Sequence, residues 1–112
     1  MSAMEDGVLL RIYMAETARI HDLPGYRYLM EYFLKKGFPG CTVHRAMAGF
    51  GHEHRLRTLD MLHLSLDLPV VIDVVDSRER IMAVVPEIEE MVEYGLVTVQ
   101  DVQMIRKRPP GL

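Results

Sequence analysis

Two amphipathic helical stripes, each framed by strand-like runs, constrain the fold of this 112-residue chain more than any other feature. Tyr26, Leu29, Met30 and Phe33 recur at helical spacing and stop before Gly37, a residue suited to a helix C-terminal cap. Pro24 sets a φ that fits a first helical turn, so a helix is predicted over about 24–36. Ile81, Val84, Val85, Ile88, Met91 and Val92 mark a second stripe, closed by Gly95. Asp76 or Ser77 can cap it, with Glu79 near its positive end. Pro86 lies inside that stripe and predicts a kink, at about 3 kcal/mol if nothing compensates for the lost hydrogen bond.

Strand patterns fill the rest. Val8 to Met14 is aliphatic and β-branched with one charge, and Cys41 to Ala48 follows the turn Phe38-Pro39-Gly40. Leu62, Leu64 and Leu66 alternate with His63, Ser65 and Asp67, and Val70 to Val75 continues as an apolar run, so the third strand is expected to be long and bent at Pro69. Val97 to Ile105 reads as the last strand, with a bulge or turn at Gln100-Asp101, before the basic, proline-rich tail from Arg106.

Strand, helix, strand, loop, strand, helix, strand is the split βαβ unit used twice. It predicts an α+β, ferredoxin-like βαββαβ fold with a four-stranded antiparallel sheet and both helices on one face. Residues 1–112 are expected to form one domain with a core over about 8–106. The other face of such a sheet stays bare. Met14, Met47, Leu62, Leu64 and Met104 are the candidates to occupy it, and because large apolar patches are uncommon on soluble monomers an oligomer is expected.

Composition narrows the function classes. Hydrophobic residues at 49% and charged residues at 26% suit a globular chain, and a formal net charge of −3 gives no general attraction to nucleic acid or an anionic membrane. Any basic site must be local. Cys41 is the sole cysteine, which rules out an internal disulfide and a cysteine-built zinc site within one chain. Met1 to Gly7 has no apolar run and no stretch approaches the roughly 18 apolar residues of a membrane span, so a soluble cytoplasmic protein is expected.

The charge-dense middle, Ala48 to Arg57, is where a ligand or partner is expected to meet the chain. Gly49 and Gly51 bracket Phe50, and His52, His54, Arg55 and Arg57 follow. Arg45, Arg55, Arg57, Arg106 and Arg108 could gather at a subunit junction and hold an anion through charge-assisted hydrogen bonds; the competing reading is a set of solvated surface arginines. His52 and His54 flank Glu53 and, in an extended segment, point the same way, so they could offer two imidazoles to a divalent metal such as zinc or copper. The alternative there is solvent-facing histidines that tune loop charge. His44 and His63 sit on strands, as structural histidines or subunit contacts, and Cys41 reads as a small buried hydrophobe. No acid, base and nucleophile set stands out, and no enzyme is expected.

Four stretches carry a family likeness. Leu-Arg-Ile-Tyr at 10–13, Gly-Phe-Gly at 49–51, Asp-Leu-Pro-Val-Val-Ile at 67–72 and Gly-Leu-Val-Thr at 95–98 together resemble the uncharacterised branch of the PII-like proteins, related to nitrogen regulatory PII and CutA proteins. The likeness spans residues 8–106. It implies a homotrimer of ferredoxin-like subunits with effector sites in the clefts between them, where a nucleotide or another small anion binds. By the same resemblance Gly49, Phe50 and Gly51 match the base of a loop that docks on a partner protein, such as a membrane transporter or channel. Arg106 and Arg108 resemble the arginines after the last strand that meet phosphates, and the phosphate loop of PII is shortened here to Tyr94-Gly95-Leu96. Likeness to CutA implies instead a divalent-metal-binding trimer, here using His52 and His54, and a third reading is a purely structural assembly module without an effector.

Overall fold

The computed structural model describes residues 3–51, 57–58 and 68–107. Its main sheet has four antiparallel strands: β1 (Glu5–Ala15), β4 (Thr42–Arg45), β7 (Pro69–Asp76) and β8 (Leu96–Met104), ordered β4-β7-β1-β8. Helices α1 (Gly25–Lys35) and α2 (Arg78–Met91) lie on one face of it. Short ladders join β2 (Arg19–Ile20) to β3 (Leu23–Pro24), and β5 (Ala48–Gly49) to β6 (Arg57–Thr58). This is the expected ferredoxin-like α+β arrangement.

Pleat parity builds the core. Val8, Leu10, Ile12 and Met14 pair across β1 and β7 with Asp76, Val74, Ile72 and Val70, and all eight are buried under Leu29 and Phe33 of α1 and Ile81, Val84 and Ile88 of α2. Met14 was expected on the bare face. It shares the parity of Ile12, so the pleat turns it into the core instead.

Local chemistry sets the helix ends. At the end of α1, Gly37 takes φ +80, its N–H donates to the Leu34 carbonyl and that of Phe38 to the Phe33 carbonyl, a Schellman closure with the two phenyl rings in edge contact at 5.3 Å. Ser77 caps α2, its hydroxyl accepting from the Arg80 N–H at 3.3 Å. The helix runs on through Pro86 as a single element. Gly95 then enters β8 so tightly that a Cβ there would sit 2.3 Å from the Tyr13 carbonyl oxygen.

Three strand expectations need correction. The second strand ends at Arg45, where the Ala46 N–H turns to the Pro69 carbonyl at 2.8 Å, and pairing resumes only in β5. The third starts at Pro69 itself, since proline lacks the N–H that an interior ladder position uses, while Thr58 pairs with Ala48; residues 59–67 lie outside the described residues. The last strand keeps register through Gln100 and Asp101, opposite Leu9 and Val8, without a bulge; these polar residues are exposed strand positions, and the Asp101 carboxylate is taken by Arg78.

Candidate functional site

At the Pro69 end of the sheet, the chain between β4 and β7 is tied down at both roots. Glu16 does most of this. Its N–H donates to the Leu68 carbonyl at 2.9 Å and its carboxylate accepts from Arg45 Nε at 3.1 Å, so one residue holds the departing and the returning chain. Gly49 lies against Pro69, where a Cβ would come within 3.0 Å of the ring, and pairs with Arg57 across the β5-β6 ladder. Phe50 and Gly51 follow, both exposed.

The opposite end is built on Asp76, which is only 1% exposed. Its Oδ1 accepts from the Ser77 N–H at 2.8 Å and from Arg106 Nη2 at 2.5 Å, and its Oδ2 from Arg80 Nη1 at 2.9 Å. Arg80 also donates to the Lys36 and Gly37 carbonyls at the end of α1 and stacks on the Phe38 ring, 4.5 Å from its centre. Burial alone would raise the Asp76 pKa. The Arg106 and Ser77 hydrogen bonds and the two guanidinium charges outweigh it and hold the carboxyl below its ordinary range. Arg106 Nε is in turn paired with Glu5 at 3.1 Å.

A third constellation lies on the sheet face that the helices do not cover. Arg11 on β1 and Asp73 on β7 are register partners joined by two parallel bonds, Nε–Oδ1 at 2.7 Å and Nη2–Oδ2 at 2.8 Å. His44 Nε2 on β4 lies 3.4 Å from the same Oδ2. The Arg11 hydrogen bonds, opposed by partial burial, keep the Asp73 pKa low, and the Asp73 carboxylate raises that of Arg11. By parity Leu9, Tyr13, Val71, Val75, Leu96, Val102 and Met104 share this face. Tyr13, Val75 and Leu96 are exposed.

Two groups elsewhere are perturbed. Burial pushes the Cys41 thiol up to about 11, helped by the Asp73 charge, which suits a packing residue and not a thiolate nucleophile. Burial and the bond to Glu87 push Tyr32 up to about 12. Tyr32 borders a shallow groove of about 410 Å³ with Leu23, Tyr28, Glu31, Lys35 and Lys36, in which Lys36 is already paired with Glu87 at 3.4 Å.

The expected site residues are therefore scattered within one copy. Arg45 stands opposite Val70 and Arg106 bonds to Asp76, at opposite ends of β7, so roughly 20 Å of strand separates them. The Arg57 backbone pairs with Gly49, while His52, His54, Arg55 and Arg108 lie outside the described residues. No group of three or more His, Cys, Asp or Glu side chains arranged to hold a metal occurs among the described residues. Sequence reading missed Arg80, Glu16 and the Arg11–Asp73 pair. Only the last left a trace, as a lone arginine inside the apolar run 8–14 and a lone aspartate inside the apolar run 70–75.

The comparisons with known proteins place this architecture. Residues 7–104 match the DUF190 family model, described as "Uncharacterized ACR, COG1993". A UPF0166 protein of Aquifex aeolicus (strain VF5) is 37% identical over 97 residues, 87% of this chain and 91% of the relative. UPF0166 protein MJ1524 of Methanocaldococcus jannaschii is 31% identical over 94 residues, 83% and 86% of the two chains. Among solved structures, CPII, a nitrogen regulatory PII-like protein from Thiomonas intermedia K12 bound to ADP, AMP and bicarbonate, superposes with a TM-score of 0.69 at 17% identity, covering 92% of each chain. CPII bound to ADP and bicarbonate superposes at 0.60 and 19% identity, again over 92% of each. With its sheet order, paired helices and tethered excursion after the second main strand, the chain belongs to the DUF190 family, an uncharacterised branch of proteins with the PII-like fold.

Proposed function

We propose that this protein is a self-assembling, PII-like regulator in the cytoplasm that binds a small anionic effector, a nucleotide or a bicarbonate-sized anion, without transforming it. The observation that carries this reading is the match over nearly the whole chain to a PII-like fold whose solved examples hold ADP, AMP and bicarbonate. The bare sheet face beside the helix-covered one supports assembly, because its apolar residues need cover. The separation of Arg45 from Arg106 supports a site between copies. A cleft that uses both arginines must draw them from different subunits, since one sheet holds them at opposite ends.

Both arginines are already paired, Arg45 with Glu16 and Arg106 with Asp76 and Glu5. An anion would compete with these carboxylates, and taking Arg45 would loosen the root of the segment that follows. In this reading segment 49–58 is the contact offered to a partner protein, such as a membrane transporter or channel, and the effector acts by favouring one state of its root. Among the described residues no helix is long and apolar enough to cross a membrane.

Calorimetry with ADP, AMP and bicarbonate tests the binding. Saturable heat is expected for at least one of them, and Arg106→Gln should weaken it by about tenfold or more, the scale of a lost charge-assisted hydrogen bond. No heat and no rise in melting temperature with any of the three at millimolar concentration would overturn the effector reading.

A further inference from the structure

The bare face carries a feature that a purely apolar contact would lack. Its centre is charged, yet almost balanced: Arg11 and Asp73 cancel, and His44 decides whether the sum per copy is zero or +1. From β7 the group facing His44 is Asp73, and from β1 they are Arg11 and, bonded to Arg11, the Tyr13 phenol. On its own strand Arg45 has the opposite parity and is paired with Glu16, and the Cys41 thiol feels the Asp73 charge. The remaining charged residue of β1 on this face, Glu5, sits at the far end against Arg106.

We propose that this face is a contact between copies of the chain whose strength is set by the protonation of His44, tight when the imidazole is neutral and weakened when it is charged. The inference rests on the self-assembly proposed above and adds its regulation. A second copy is the occupant that fits, because an internally neutralised centre offers a charged partner little attraction, whereas apolar flanks such as Tyr13, Val75 and Leu96 can meet the same flanks of another copy. Asp73 has both oxygens engaged by Arg11, so a protonated His44 leaves a net positive charge. In a free subunit water screens it, since the His44 side chain is 57% exposed. In an assembly it would be desolvated and repeated in every copy, at a cost in free energy.

Histidine is the side chain whose charge ordinarily changes between pH 5 and 8, so the device would act in the physiological range. An assembly that opposes protonation of the imidazole is favoured at higher pH, and that extra stability is lost as pH falls. Linkage limits the effect to about tenfold in the assembly constant per copy for each pH unit.

Sedimentation equilibrium at pH 8.0 and 5.5, at fixed ionic strength and with circular dichroism to confirm folding, tests this directly. The wild type should assemble at pH 8.0 and dissociate more readily at pH 5.5, His44→Gln should assemble equally at both, and His44→Arg should be weakened at both. Equal assembly of the wild type at the two pH values, or a pH dependence retained in His44→Gln, would overturn the role of His44. A single-chain mass at pH 8.0 as well as 5.5 would instead overturn the self-assembly on which it rests.

Discussion

Asp76 and Asp73 stand three residues apart on β7, each paired with arginine, yet they belong to opposite faces of the sheet and do different work. Asp76, under the helices, is 1% exposed and ties together the chain just past the last strand, the start of α2 and, through Arg80, the end of α1. The Asp73 side chain, on the bare face, keeps 16% of its exposure and pairs with Arg11 and His44 of the neighbouring strands. One alternation of the pleat thus separates a joint that holds the subunit from a contact left available to something else. Substitutions at matched positions on the two faces should expose that division.

The largest contrast is expected in the hydrophobic rows. Ile72, fully buried between Ile12 and Val43, should cost about 2–5 kcal/mol as Ile72→Ala, through lost transfer energy and the cavity left behind. Its neighbour Val71, on the bare face, should cost less than about 1 kcal/mol as Val71→Ala in the dissociated subunit. Urea denaturation at a protein concentration where the wild type is monomeric measures both, and equal losses would mean that the bare face is packed within one subunit.

Next comes Asp76→Asn. It leaves Arg80 and Arg106 without their shared carboxylate and should destabilise by about 3 kcal/mol, the low end for breaking a buried pair because both arginines reach solvent. The same measurement on Glu5→Gln, which removes only the exposed partner of Arg106, should show a loss near the exposed-pair range of about 0.2–1 kcal/mol.

That dependence on Arg80 also shows where sequence reading stops. Gly37, Ser77 and the stripe ending in Phe33 were legible because helix caps and helical spacing are local properties, decided within a few residues. The alternation of Val8, Leu10 and Ile12 extends to Met14 and puts it in the core, against the expectation that it lies on the bare face. The hairpin of β2 and β3 was not legible. Its turn places His21 and Asp22 at φ 50 and 64, a type I′ geometry in which glycine or asparagine would have been the recognisable signal. Arg80 meets carbonyls 43 and 44 residues away and Arg11 meets an aspartate 62 residues away, so neither pairing exists until the sheet and helices have formed. The candidate site was harder still. Arginines that looked alike along the chain proved to be split between the two ends of one strand, a fact of register that no spacing encodes.

Acid should separate the two faces by a different route. Both carboxyls have folded-state pKa values below the ordinary one, about 3.9 for an unperturbed aspartate, so each adds stability above that value that is lost as pH falls through the folded-state pKa. Stability should therefore fall as pH drops below about 4, and Asp73→Asn should flatten that fall more than Asp76→Asn, because burial, which raises a carboxyl pKa, offsets more of the depression at Asp76. Chemical denaturation at a series of pH values between 6 and 2 reads the slopes. Indistinguishable slopes in the two variants would show that burial does not rank these carboxylates.

The smallest effect is predicted at the Arg11–Asp73 pair itself. Its bonds are short and parallel, but Arg11 is about one-third exposed and solvent screens the attraction, so the coupling energy from Arg11→Met, Asp73→Asn and the double variant should be smaller in the single subunit than the loss from Asp76→Asn. Its weight should appear on assembly. Removing Asp73 alone leaves Arg11 as an unbalanced charge on the bare face and should oppose association, while removing both partners restores neutrality and should permit it. If Asp73→Asn associates as readily as the double variant, charge balance does not govern that face.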